Sequence, residues 1–173
     1  MGESDCMAER EELIQRTYEL AEQAAENGDF PFGALIAVDG DVVETSANTV
    51  DSDRDVTAHP ELKLARWAAR SLEPAELDQA ILYASTEPCP MCAGAIYWSG
   101  IAKVVYGVSA EEADVSGTGM VPSMSCREVV DSGSIDVEVE GPTLEDDGRE
   151  IHSRFWSKPL PDDSFTAQLH GSE

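Results

Sequence analysis

Positive charge is what this sequence has least of. Its 173 residues carry 35 Asp and Glu against 11 Lys and Arg, a formal net charge of −24 at pH 7, with a sequence pI near 4.1. Only three of the cations are lysines: Lys63, Lys103 and Lys158. Phosphate contacts need Lys and Arg, so unassisted binding to a polyanion at ordinary salt is disfavoured. Long apolar runs are missing too. Nothing approaches the ~18 consecutive apolar residues of a membrane-spanning helix. The start, Met1-Gly2-Glu3-Ser4-Asp5-Cys6, lacks the basic residues and apolar core of a secretory signal, and Cys6 stands where a myristoylation signal needs Ser or Thr. The expectation is a soluble, cytoplasmic protein without a membrane partner. Cysteine is sparse, at four residues. With no sign of an oxidising compartment, a disulfide framework is not expected.

What is present suits a globular fold. Hydrophobic residues make up 42% of the chain, too many for a disordered acidic tail. The length fits one domain able to bury its own core. We expect that domain over residues 1–158, with a polar C-terminal tail at 159–173. The acids punctuate the whole chain, from Glu9-Arg10-Glu11-Glu12 through Asp51-Ser52-Asp53-Arg54-Asp55 to Glu145-Asp146-Asp147. Spread this way, they form a solvated surface kept soluble by self-repulsion. With so few lysines, the pattern points to adaptation to a high-salt cytoplasm, a halophilic setting in which such repulsion is screened.

Periodicity sets the organisation. Leu13, Ile14, Thr17, Ala21, Ala24 and Ala25 recur at helical steps, and Gly28 stops the helix. The runs 33–38 and 41–45, joined by Asp39-Gly40, read as a β-hairpin. Helices are expected near 60–71 and 90–99, with strands at 80–85 and 103–108. After a loop at 116–125 come a short helix at 126–131, a strand at 135–140 and a helix at 145–156. Helices then cross over between parallel strands on a sheet that opens with a hairpin. The fold class is α/β: a three-layer α/β/α arrangement around a mixed central sheet of about five strands.

The chemistry gathers in few residues. Cys89 and Cys92 stand in Pro88-Cys89-Pro90-Met91-Cys92 at a helix start. Three-residue spacing puts both on one helical face, and the unpaired N–H groups there favour thiolates. Alone, Cys-x-x-Cys fits either metal binding or dithiol redox chemistry. Upstream, His59 and Glu61 occur in Thr57-Ala58-His59-Pro60-Glu61, ahead of another helix. A catalytic zinc takes three protein ligands and keeps one position open. His-x-Glu followed by Pro-Cys-x-x-Cys is the signature of zinc-dependent base deaminases. His59, Cys89 and Cys92 are therefore the candidate ligands of one Zn²⁺, and Glu61 the candidate general acid/base. Cys6 and Cys126 read as a terminal and a buried thiol.

The stretch from Asp29 to Val108 resembles the cytidine deaminase-like superfamily, in the branch of guanine deaminases and tRNA adenosine deaminases. The resemblance rests on Asp29-Phe30-Pro31-Phe32-Gly33-Ala34, Ser46-Ala47-Asn48, the His59 motif and Ser85 to Trp98. One departure is Pro60, where the family usually has Ala, and a proline in the first helical turn removes no needed hydrogen bond. The resemblance implies that Asn48 binds the substrate ring and that Phe32, Ala58, Glu87 and Trp98 line the pocket. It also implies a homodimer, and C-terminal aromatics such as Phe155-Trp156 closing the site in the same subunit or a partner. Packing, helix capping and loop formation are the competing uses of these residues. The sequence Cys89-Pro90-Met91-Cys92 with Ala95-Ile96-Tyr97-Trp98 is more similar to the guanine deaminases. The expected reaction is therefore hydrolytic removal of an exocyclic amine from a free base, guanine or a related aminopurine. The alternatives are tRNA adenosine, cytosine, isocytosine or a nucleoside. From Glu140 onward eight acids face Arg149, Arg154 and Lys158, a poor surface for RNA. A zinc-stabilised scaffold without activity is disfavoured, because Glu61 has no use at a closed metal site.

Overall fold

In the computed structural model, residues 3–113 and 124–170 are described. In chain order they form α1 (Glu3–Glu26), β1 (Gly33–Val38), β2 (Asp41–Ala47), α2 (Val50–Asp53), α3 (Pro60–Ser71), α4 (Pro74–Leu77) and β3 (Ala80–Thr86). There follow α5 (Pro90–Ser99), β4 (Lys103–Val108), α6 (Ala110–Ala113), α7 (Cys126–Val130), β5 (Glu138–Glu140), α8 (Glu145–Trp156) and α9 (Phe165–His170). Residues 116–123 of the expected loop, with Met120, lie outside the described residues, as does the side chain of Cys6.

The sheet runs in the order β2-β1-β3-β4-β5. β1 is antiparallel to both β2 and β3, whereas β3–β4 and β4–β5 are parallel. The hairpin exists because Asp39 and Gly40 both take positive φ, 52° and 86°. A two-residue loop whose twist matches its strands requires that geometry.

Alternation along each strand sorts the core into two halves. Ala34, Ile36, Leu82, Ala84, Val104 and Val139 face α3, α5 and α7, where Leu64, Ala68, Ile96 and Val130 cover them. Leu35, Ala37, Tyr83 and Val105 face the other way, under Leu13, Ile14 and Tyr18 of α1 and Ile151 of α8. The result is the anticipated three-layer sandwich. At Gly33 the α1 backbone comes so close that a Cβ would lie 2.5 Å from Thr17 O and 2.7 Å from Ala21 N. Only glycine fits there.

Besides the short helices α2, α4 and α6, which the sequence reading does not contain, three elements differ from it. α1 begins at Glu3, well before the apolar stripe, and Arg10 gives the added turns a reason. Its Nη1 donates to Glu140 at 2.8 Å and its Nε to Thr143 Oγ1 at 2.9 Å, pinning the helix to the far edge of the sheet. β5 is shorter than read, three residues paired with Lys103–Val105, because only this much of the edge finds a partner. The segment after Lys158 carries α9 and folds back onto its own chain: Leu160 and Phe165 pack with Phe30, Val50 and Ala58, and the Thr166 N–H donates to Asp51 Oδ1 at 2.9 Å.

Candidate active site

Two helix starts build the site. His59 is the extended residue capping α3, with φ −78° and ψ 140°, and Cys89 caps α5 in the same way, with φ −65° and ψ 165°. Each is followed by a proline at the first helical position, where a missing N–H leaves nothing unpaired. Pro60 is buried and α3 forms normally, so this departure from the family pattern is accommodated. α3 and α5 pack side by side on the same sheet face, which brings their N-termini together. Their exposed N–H groups and partial positive charge favour thiolates and carboxylates.

The ligand atoms of His59, Cys89 and Cys92 all lie within 4.8 Å of one another, with His59 Nδ1 and Cys89 Sγ 3.8 Å apart. A tetrahedral zinc with bonds of about 2.3 Å to sulfur and 2.0 Å to nitrogen separates its ligands by about 3.5–3.8 Å. The donor set fits: two sulfurs and one imidazole, leaving a fourth position. The thiols behave as a pair. A hydrogen bond from Cys92 holds Cys89 well below the ordinary thiol range, and the same bond together with burial pushes Cys92 up. Burial pulls the His59 imidazole down, but the hydrogen bond to Cys89 and the charges of Glu61 and Cys89 outweigh it, and its pKa is raised.

Glu61 sits one helical step inside, 4% exposed, with Oε2 3.8 Å from Cys92 Sγ. Burial pushes its carboxyl up to about 7. A buried carboxylate beside a metal triad can take and return a proton away from bulk water.

The other predicted residues divide. Asn48, 1% exposed, ends β2 beside the site: its N–H donates to Phe32 O at 3.0 Å, and the next residue's N–H donates to Ala58 O at 3.1 Å. Its Oδ1 accepts from the Val50 N–H at 3.0 Å, while Nδ2 has no partner among the described residues. Phe32 and Ala58 thus adjoin Asn48 and His59. Glu87 acts as a double cap instead: its two oxygens accept the Ala110 N–H at 3.0 Å and the Cys126 N–H at 3.0 Å, tying the starts of α6 and α7 to the end of β3. Trp98, 78% exposed, stands on the outer face of α5 against Tyr97 and does not join them. Phe155 and Trp156 pack on Phe30 of the same chain, at centroid distances of 6.1 and 5.6 Å.

Two participants escaped the sequence reading. His152, 2% exposed, accepts the Trp156 indole N–H at Nδ1 (3.3 Å), which leaves the proton on Nε2 to donate to Thr86 Oγ1 at 2.8 Å. Burial lowers its pKa to about 4, so it is neutral. The four-residue spacing of His152 and Trp156 on one helix was the available signal. Lys63, one turn after His59, reaches Ala47 O at 2.6 Å and Thr49 Oγ1 at 3.0 Å.

Comparison with known proteins agrees with this geometry. Residues 7–108 match the family described as cytidine and deoxycytidylate deaminase zinc-binding region. A probable cytosine deaminase of Schizosaccharomyces pombe is 34% identical over 147 residues, 83% of this chain and 90% of that protein. The guanine deaminase of Bacillus subtilis is 39% identical over 120 residues, 69% of this chain and 76% of that protein. A solved structure from studies of A-to-I editing by tRNA:A34 deaminases superposes with a TM-score of 0.66 at 29% identity, over 81% of this chain and 98% of that one. With its His59, Cys89 and Cys92 cluster and its mixed five-stranded sheet, the chain belongs to the cytidine deaminase family and is a zinc-type deaminase.

Proposed function

We propose that this protein hydrolyses the exocyclic amine of a free nucleobase, guanine or a related aminopurine, releasing ammonia. Bound at His59, Cys89 and Cys92, zinc supplies Lewis-acid activation of water near neutral pH. The residues of the chain do the rest. Glu61 takes a proton from the attacking water and delivers it to the ring nitrogen next to the amine-bearing carbon. It then carries the proton of the newly added hydroxyl to the amine nitrogen as the C–N bond breaks, so that amine and water become carbonyl and ammonia. Asn48 orients the ring: its Oδ1 is held by Val50, and its free Nδ2–H donates to a ring acceptor. The half-buried Phe32, edged by His152 at 5.5 Å, supplies an apolar wall for a flat base.

The observation that carries a small base over RNA lies between Asn48 and His59. That loop holds Asp51, Asp53 and Asp55 with one cation, Arg54, which is already engaged by Gln168 at 3.1 Å and by the Phe165 ring at 5.0 Å. A phosphodiester chain entering there meets more acid than cation, even with Arg66 near Asp55 counted. The likeness to the Bacillus subtilis guanine deaminase supports guanine. Cytosine is the second reading, favoured by the greater length of the match to the Schizosaccharomyces pombe protein.

An ammonia-release screen of the zinc-loaded protein decides. The panel is guanine, cytosine, isocytosine, adenine and their nucleosides, with an anticodon stem-loop RNA alongside. Conversion of guanine to xanthine at the highest kcat/KM is the expected result. Inosine formed in the RNA, with the free bases untouched, would overturn the proposal.

A further inference from the structure

Asn48 is held at its backbone N–H and its Oδ1 and keeps a side-chain donor over. It is 1% exposed, and among the described residues its side-chain Nδ2 has no partner. A single free donor on a buried amide orients a ligand only if the backbone beneath it does not move. The residues on either side of Asn48 are gripped by one side chain. Lys63 Nζ donates to Ala47 O at 2.6 Å on one side and to Thr49 Oγ1 at 3.0 Å on the other.

The grip continues outward. Thr49 Oγ1 accepts from Lys63 and donates its own proton to Asp53 Oδ2 at 2.6 Å, and the Thr49 N–H donates to Ala58 O at 3.1 Å. Both Lys63 hydrogen bonds end on neutral oxygens of this turn and hold its position, while the charges of Asp53, Asp29 and Glu61 act on the ammonium without a direct ion pair among the described residues. Lys63 also belongs to the turn of α3 that starts at the metal cluster, since its N–H donates to His59 O at 3.1 Å. One helical turn thereby sets the spacing between His59 and Asn48.

We propose that Lys63 is a positioning residue for the deamination, holding the Ala47–Thr49 turn so that the free Nδ2–H of Asn48 keeps a fixed distance from the His59, Cys89 and Cys92 cluster. The proposal rests on the reading of Asn48 as the ring-orienting residue. Lysine suits this role for two reasons. Its four methylenes span from α3 to the turn, and its three rotatable donors serve two acceptors at once. Methionine at this position keeps the stem and loses the donors.

The test uses zinc-loaded wild type, Lys63→Met, Lys63→Arg, Asn48→Ala and the double variant Lys63→Met/Asn48→Ala, assayed with guanine and with cytosine. Lys63→Met lowers kcat/KM by about tenfold to a hundredfold, the loss that a misplaced orienting group produces. Lys63→Arg recovers part of it. In the Asn48→Ala background, Lys63→Met adds no further loss, because the two act through one contact. Equal losses in both backgrounds overturn the proposal, since a purely structural role would subtract the same amount from each. A second readout needs no turnover. The chain has two asparagines, Asn27 and Asn48, so selective ¹⁵N-Asn labelling gives two side-chain amide pairs, with Asn27 as the internal reference. In folded, zinc-loaded Lys63→Met the Asn48 pair shifts and broadens while Asn27 stays in place. An unchanged Asn48 pair overturns the proposal. If wild type consumes neither base, the substrate reading fails, and the amide signals still decide the role of Lys63.

Discussion

The helices on the two faces of the sheet differ in kind. Those on one face, α3 and α5, bring His59, Glu61, Cys89 and Cys92 to adjoining N-termini, beside the end of β3. Those on the other, α1 and α8, meet the sheet through Leu13, Ile14, Tyr18 and Ile151, with a glycine at the closest approach. The first face uses what a helix start offers: free N–H groups, partial positive charge and a short path from a strand end. The second uses shape. His152 belongs to the packing face yet reaches the catalytic end, through Thr86. Both faces pack against the sheet, but the chemistry gathers on one of them, and each side fails in its own way when changed.

The largest effect belongs to the catalytic face. Glu61→Gln keeps shape and burial but removes the proposed proton carrier, and kcat falls by about a hundredfold to ten-thousandfold. Zinc content and melting temperature stay near wild type. Substantial residual turnover would show that another group carries the proton and would blur the contrast between the faces.

His152 tests the link between them. Its folded pKa, about 4, lies below the ordinary histidine value of 6.5, so as pH falls the unfolded chain takes up the proton first. Stability from neutral His152 is complete above about pH 6.5 and drains away between there and about pH 4, by about 3 kcal/mol in all. Urea unfolding between pH 7 and 4.5 shows this as a steeper loss in wild type than in His152→Gln. Parallel curves would remove His152 from the acid sensitivity of the fold.

The packing face answers to volume. Gly33→Val forces a side chain onto the α1 backbone, where nothing flexible can yield, and destabilises by about 2–3 kcal/mol with a lowered melting temperature. Activity per folded, zinc-loaded molecule is retained. A fall in kcat without a fall in stability would contradict the division between the faces. The smallest effect is at Arg154, whose ion pair with Glu22 at 3.0 Å is open to solvent on both sides. Arg154→Ala changes stability by no more than about 0.5 kcal/mol, as chemical denaturation can verify.

Much of this was legible in local sequence. The Asp39-Gly40 turn, the helix 145–156 and the two capped helix starts depend on neighbours within a few residues, and the structure has them where the sequence puts them. The metal triad was legible for a related reason: its spacing is chemical, and few arrangements of His, Glu and two Cys serve any other end. Glu87 was not legible, because a glutamate two residues before Cys89 can face a ligand or a backbone. The backbones that claim it, at Ala110 and Cys126, are remote in sequence. Trp98 shows the same limit. On a short helix apolar almost all round, the sequence does not say which aromatic faces out. α2, α4, α6 and α9 are too short to display a helical period.

Residue types and short spacings were enough to set the class of chemistry, the order of elements and the acidity of the surface. Three other features arise only once the chain has packed: the free donor of Asn48, the brace that Lys63 puts on the turn around it, and the closure of a distant histidine onto Thr86. They depend on which hydrogen-bonding groups remain unpaired in the folded molecule. Every backbone and side chain competes for the same partners, and the winner is set by distances between residues that the sequence keeps far apart.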